Sequence, residues 1–152
     1  MMTFEDWVEI IDDAVYDFLT EFDEDYECEI GAEFCAYPLD GIIEWSLLYV
    51  EKGGREFYEN FVSRFPKAEG FNIFTLSILH EIGHLETVAH YECDTEIRKR
   101  TFNSTDYFKL HNEVIATDWA GNWINNNYAY AYAINQYFTY LLEDCYADLI
   151  TE

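Results

Sequence analysis

The apolar positions of this chain change period several times, and each change marks an element. Across residues 3–20, Phe4, Trp7, Val8, Ile11, Val15, Phe18 and Leu19 recur at helical spacing, with acids on the opposite face. Thr3 and Asp6 stand three apart at its start, close to a capping box, and Glu21-Phe22-Asp23-Glu24-Asp25 ends it. From 26 to 37 the period becomes two. Tyr26, Cys28, Ile30, Ala32, Phe34 and Ala36 alternate with mostly acidic partners, which predicts one half-buried strand with its acids in solvent. Pro38-Leu39-Asp40-Gly41 is a turn signal, and 42–51 reads as a second strand. Ile43, Trp45, Leu47 and Tyr49 share its buried face, and Lys52-Gly53-Gly54 closes it. The two strands would pair as an antiparallel hairpin. A short helix over 55–65 is stopped by Pro66, and Gly70 marks the link onward. The apolar stretch that follows predicts a buried helix over 71–87, with its continuation to Tyr91 open. Residues 92–103 read as an exposed connection whose Arg98-Lys99-Arg100 pairs with neighbouring acids. Helices are predicted over 106–126, ended by Asn125-Asn126-Asn127, and over 128–150. The last opens as alternating Tyr and Ala, which alone would suggest a strand. Ile134, Tyr137, Phe138, Leu141, Leu142, Cys145 and Leu149 then restore helical spacing. With no repeat and no linker, the expectation is one α+β domain over 1–152, mostly helical with a small antiparallel sheet.

Charge narrows the partners. The formal net charge is -23, and residues 1–51 carry 16 acids and no base. All 8 lysines and arginines fall between Lys52 and Lys109. Such a surface repels DNA, RNA and anionic membrane, so neither nucleic acid nor membrane is an expected partner. It favours solubility and, where a protein or peptide is engaged, a basic segment. Hydrophobic residues make up 50% of the chain and aromatics 19%, which excludes a disordered acidic tail. The N-terminal stretch lacks the basic and apolar regions of a signal peptide, and no run approaches membrane-spanning length. The expected location is cytoplasmic, with the four cysteines reduced. Cys28 and Cys35 stand seven apart and no C-x-x-C occurs, which argues against a structural zinc knuckle.

The chemistry is concentrated in His80-Glu81-Ile82-Gly83-His84, within the predicted buried helix. Residues four apart lie on one helical face, so both imidazoles can reach one metal ion. Glu81, turned about 100° round the axis, can stand beside the ion and take a proton from water without ligating. Ile82-Gly83 between them lets the helix pack closely against a neighbour. Two satisfied core histidines are the bland alternative, but two imidazoles and a carboxylate on an apolar helix need a partner for their polar atoms.

A catalytic zinc takes three protein ligands as a rule. His90 would complete an H-E-x-x-H-x-x-G-x-x-H spacing, although Thr87 holds the glycine position and no methionine lies downstream. Glu113 shares a helical stripe with Ala116, Ala120 and Trp123, so its carboxylate can project from a packed face toward a cation. His111, Asp94 and Asp118 are further candidates.

His80-Glu81-Ile82-Gly83-His84, followed by Glu113-Val114-Ile115-Ala116 and then Trp119-Ala120, resembles the ImmA/IrrE-type metallopeptidases, a zincin-like family common in phages and other mobile elements. The resemblance covers about residues 71–124 and implies a zincin-like fold. It implies that His80, His84 and Glu113 hold zinc, that Glu81 is the catalytic base, and that the substrate is a cytosolic regulatory protein. Thr117 departs from the pattern, which usually has Asn or Asp there, and the Met-Pro that often follows is absent. The expected activity is peptide hydrolysis by zinc-activated water. Tyr91, His90 and His111 are candidates to support the oxyanion, and strand 42–51 could take an extended substrate by edge pairing. The rival expectation is a catalytically silent acidic module that binds proteins or mimics nucleic acid.

Overall fold

The computed structural model describes residues 2–47, 51–87 and 111–151. Helix α1 spans Phe4–Leu19 and starts as the sequence predicts. The Thr3 hydroxyl accepts from the Asp6 amide, and the Asp6 carboxylate accepts from the Thr3 amide, so two otherwise orphaned donors are satisfied. Its apolar stripe, including Trp7, Ile11, Val15, Phe18 and Leu19, is buried.

The sheet differs from the expected hairpin. Residues 26–37 form two strands, β1 (Glu27–Ile30) and β2 (Cys35–Tyr37), separated by a reversal at 31–34. Strand β3 (Ile42–Trp45) lies between them, in the order β1-β3-β2. It pairs parallel with β1 and antiparallel with β2, so the sheet is mixed rather than antiparallel. The hairpin through 38–41 exists, but it joins β2 to β3 only. A period of two persists on both sides of a reversal, so alternation alone cannot separate one strand from two. Cys28 is half-buried, while Ile30 and Ala32, expected inside, are exposed. Glu27, Glu29 and Glu33 face solvent as expected. Ile43, Trp45 and Leu47 are buried on β3 and just beyond, and Tyr49 lies outside the described residues.

The second strand also ends sooner than expected, because Glu51–Arg64 is helix α2. Lys52, Gly53 and Gly54 therefore belong to a helix rather than to a closing turn. Their weak helix propensity, about 1 kcal/mol per glycine, is overridden by tertiary packing, with Gly54 itself buried. A single 3-10 turn, Pro66–Ala68, and Gly70 at φ +85° lead into helix α3, Ile73–Glu86. Asn72 caps it by accepting from the Phe74 amide at 2.7 Å, and the Asn72 amide donates to Asn135 at 2.8 Å. Helices α4 (His111–Asn126) and α5 (Tyr128–Thr151) follow, so the Tyr-Ala repeat is helical. The expected extension to Tyr91, the 92–103 connection with Arg98-Lys99-Arg100, and the expected helical stretch 106–110 lie outside the described residues.

Helix α3 is enclosed on nearly every side, which is why its sequence is apolar around the whole circumference. Phe74 is its aromatic hub, with ring centroids 5.5 Å from Phe34, 6.0 Å from Trp45 and 5.4 Å from Phe138. Each such fully buried side chain contributes about 1.5–3 kcal/mol. Two polar pins fix α1 around this core. The Asp12 carboxylate accepts from Trp45 Nε1 at 2.6 Å, and Trp7 Nε1 donates to Asp148 on α5 at 2.8 Å.

Candidate metal site

Helices α3 and α4 approach until their backbones touch, and Gly83 is the reason they can. A Cβ at Gly83 would lie 2.5 Å from the Ala116 carbonyl oxygen and 3.1 Å from its carbon. Ala116 sits between Glu113 and Thr117, so this contact sets the distance from the two histidines to both.

The geometry that results is tight. His84 Nε2 lies 2.8 Å from Glu113 Oε2, and His80 Nε2 lies 3.2 Å from the same oxygen. The two Nε2 atoms are 3.2 Å apart. Glu81 Oε1 stands 3.9 Å from His84 Nε2, beside the cluster rather than in it. Glu81, His84 and Glu113 are buried, and His80 is nearly so. Side-chain atoms of His80, Glu81 and His84 all fall within 4.8 Å of one another, so this group could hold a metal ion.

The spacing of the donors fits such an ion. A tetrahedral centre about 2.0–2.1 Å from each ligand gives ligand-to-ligand edges of roughly 3.3 Å, close to the three separations found. Without an ion, each imidazole can donate an Nε2–H to Glu113 Oε2, which has two lone pairs to receive them. A cation at the centre would satisfy all three at once.

Around this centre, His80 Nδ1 lies 3.0 Å from the Thr117 hydroxyl. Donation from Nδ1 to that oxygen leaves the Nε2 lone pair aimed at Glu113, the tautomer a metal ligand needs. Thr117 was the departure from the family pattern, and its hydroxyl occupies the orienting position. The signal was its place one turn after Glu113 on the same helical face. The Phe57 ring packs on His80 edge-to-face at 5.3 Å.

Burial disfavours the charged forms of both His80 and Glu113, but their mutual contact outweighs it. Hydrogen bonding to Glu113 and the charges of Glu113 and Glu81 raise the His80 pKa above its ordinary value. Bonds and charges from His80 and His84 hold Glu113 far below the usual carboxylate range.

Among the other ligand candidates, only Asp118 has a described side chain. Asp118 points away and pairs with Arg64 of α2. His90 and Asp94 lie outside the described residues, as does Tyr91, and only the backbone of His111 is described. Strand β3 cannot offer an edge, since both its sides are paired. Among the described residues the outer edges are those of β1 and β2, and burial first, then the Glu81 charge, holds the Cys35 thiol of β2 protonated. Searches of known protein families, curated proteins and solved structures find no match to this chain.

Proposed function

We propose that the chain is a zinc metallopeptidase of the ImmA/IrrE type, with a zincin-like fold, His80, His84 and Glu113 as ligands, and Glu81 as general base. The substrate would be a regulatory protein of a phage or mobile element in the cytoplasm, cut within a basic segment. The observation that carries this reading is the convergence of two imidazole nitrogens and one carboxylate oxygen within 3.2 Å of one another.

When bound, zinc would supply a Lewis acid that polarises a carbonyl and acidifies water. The remaining steps belong to the chain. Thr117 and Glu113 fix the orientation of His80. Glu81, buried and beside the cluster, takes a proton from the attacking water and returns it to the leaving amide nitrogen. Phe57, packed edge-on against His80, and the enclosed α3 shield the cluster from bulk solvent. The outer edge of β2 can align an extended peptide by main-chain pairing.

The first test is metal content by mass spectrometry on purified wild type, Glu113→Ala and His90→Ala. Near-stoichiometric zinc lost only in Glu113→Ala is expected. Zinc lost only in His90→Ala would move the third ligand to that residue. No zinc after add-back would leave the second reading, a silent acidic binding module. That reading draws on the exposed acids of α1 and β1, including Glu5, Glu9, Asp13 and Glu29.

A further inference from the structure

Helix α5 carries an exposed face unlike the rest of the surface. Residues 128–142 contain no charged side chain, in a chain where charged residues are 26% of the total. Tyrosines remain open to solvent along it: Tyr132 at 47%, Tyr137 at 53% and Tyr140 at 70% exposure. Charge depletion with tyrosine enrichment is the composition of an interface centre.

We propose that this face binds a second copy of the chain, antiparallel, about a two-fold axis beside Gln136. The argument is self-complementarity. Ala129, Ala133, Gln136, Tyr137 and Tyr140 are exposed and fall on one side of the helix at about 100° per residue. The small side chains lie at the N-terminal end of this face and the large ones at its C-terminal end. An antiparallel two-fold seats Tyr140 of each copy over Ala133 of the other, as an isologous contact requires. The same rotation brings Asp144 of the second copy beside Ala129.

Area agrees with a modest dimer. Tyr132, Tyr137 and Tyr140 leave about one and a half tyrosine side chains' worth of surface open, and the exposed Ala129, Ala133 and Gln136 bring the face to on the order of 500 Å² per copy. Pairing then buries about 1,000 Å² in all, the lower bound for a specific association. The two bodies repel at -23 each, so the association strengthens as salt screens them. A basic partner on the acidic surface would show the opposite salt dependence.

Sedimentation equilibrium of the full chain tests this. Dimers are expected at tens of micromolar, tightening several-fold between about 0.05 and 0.5 M NaCl. Ala133→Glu and Tyr140→Glu, both at exposed positions, should each yield a folded monomer by circular dichroism. Ala129→Lys, which sets a cation opposite Asp144 of the other copy, should tighten the dimer. A monomer at all salts up to about 0.5 mM overturns the proposal, as does a dimer indifferent to both Ala133→Glu and Tyr140→Glu. No gain from Ala129→Lys would overturn the antiparallel register.

Discussion

Replacing Gly83 by alanine adds one methyl group to the point where α3 meets α4. That methyl would sit 2.5 Å from the Ala116 carbonyl oxygen, which is backbone and cannot rotate aside. Ordinary contact requires the helices to part by about 0.7–1 Å. Two stability effects then nearly cancel. Alanine gains about 1 kcal/mol of helix propensity, and overpacking costs about 1–3 kcal/mol. The net is about 0–2 kcal/mol of destabilisation, a melting shift of at most roughly 8 °C for a chain this size. The site fares worse. Glu113 moves with α4 while His80 and His84 stay on α3, and metal–ligand distances tolerate only about 0.2 Å. Zinc affinity should therefore fall at least ~100-fold while the fold persists. Competition with a chromophoric chelator measures the affinity, and a metal-free thermal melt measures the fold. A folded Gly83→Ala protein with wild-type affinity would refute the claim that this helix contact sets the ligand geometry.

Further expectations concern the same cluster. Glu81→Gln should keep its metal and fold yet lose about 10²–10⁴ in peptide hydrolysis, scored by mass spectrometry on a peptide library; unchanged turnover would remove Glu81 as the base. Thr117→Val should lower zinc affinity by about 10–100-fold and Thr117→Ser should restore it, so equal affinity in both would dismiss the orienting bond. The metal-free protein should be most stable between about pH 4.5 and 6.5. The raised His80 contributes fully below 6.5 and is lost as pH climbs through its folded value, while the lowered Glu113 contributes above 4.5 and is lost on acidification. Urea denaturation at pH 5.5 and 8 checks this, and greater stability at pH 8 would contradict it. Zinc uptake should strengthen with pH over the neutral range, by up to about tenfold per unit, because His80 must shed its proton; a flat calorimetric profile would count against that exchange.

The sequence made the helices legible because their periods are long and their ends chemically marked. Thr3 and Asp6 cap α1 as their types dictate, and the apolar run after Asn72 could only be an enclosed helix. Two of the three clustered donors were legible from the H-E-x-x-H spacing alone. Glu113, 29 residues beyond His84, stood out among several candidates by its helical stripe and by the resemblance, and the α3–α4 contact brings its carboxylate to both imidazoles. The sheet was less legible. Its strands are three or four residues long, and β1 pairs with a strand beyond an intervening reversal. Such pairing is a property of chain topology, which alternation does not encode. Gly53-Gly54 misled for a related reason, since a glycine pair signals a turn locally and only burial explains its place in α2.

The contact between His80 and Glu113 spans 33 positions of sequence. A cation held there would therefore act as a staple on the folding equilibrium. Bound only by the native state, it adds about 2.7 kcal/mol when its free concentration is a hundred times its dissociation constant. In a cell that amount reduces the unfolded fraction about a hundredfold and protects the chain from proteolysis in proportion. Metal supply would then govern how long the protein lasts as well as what it does. A chain stripped of its ion would be cleared, so an inactive form would not accumulate to compete for the same target.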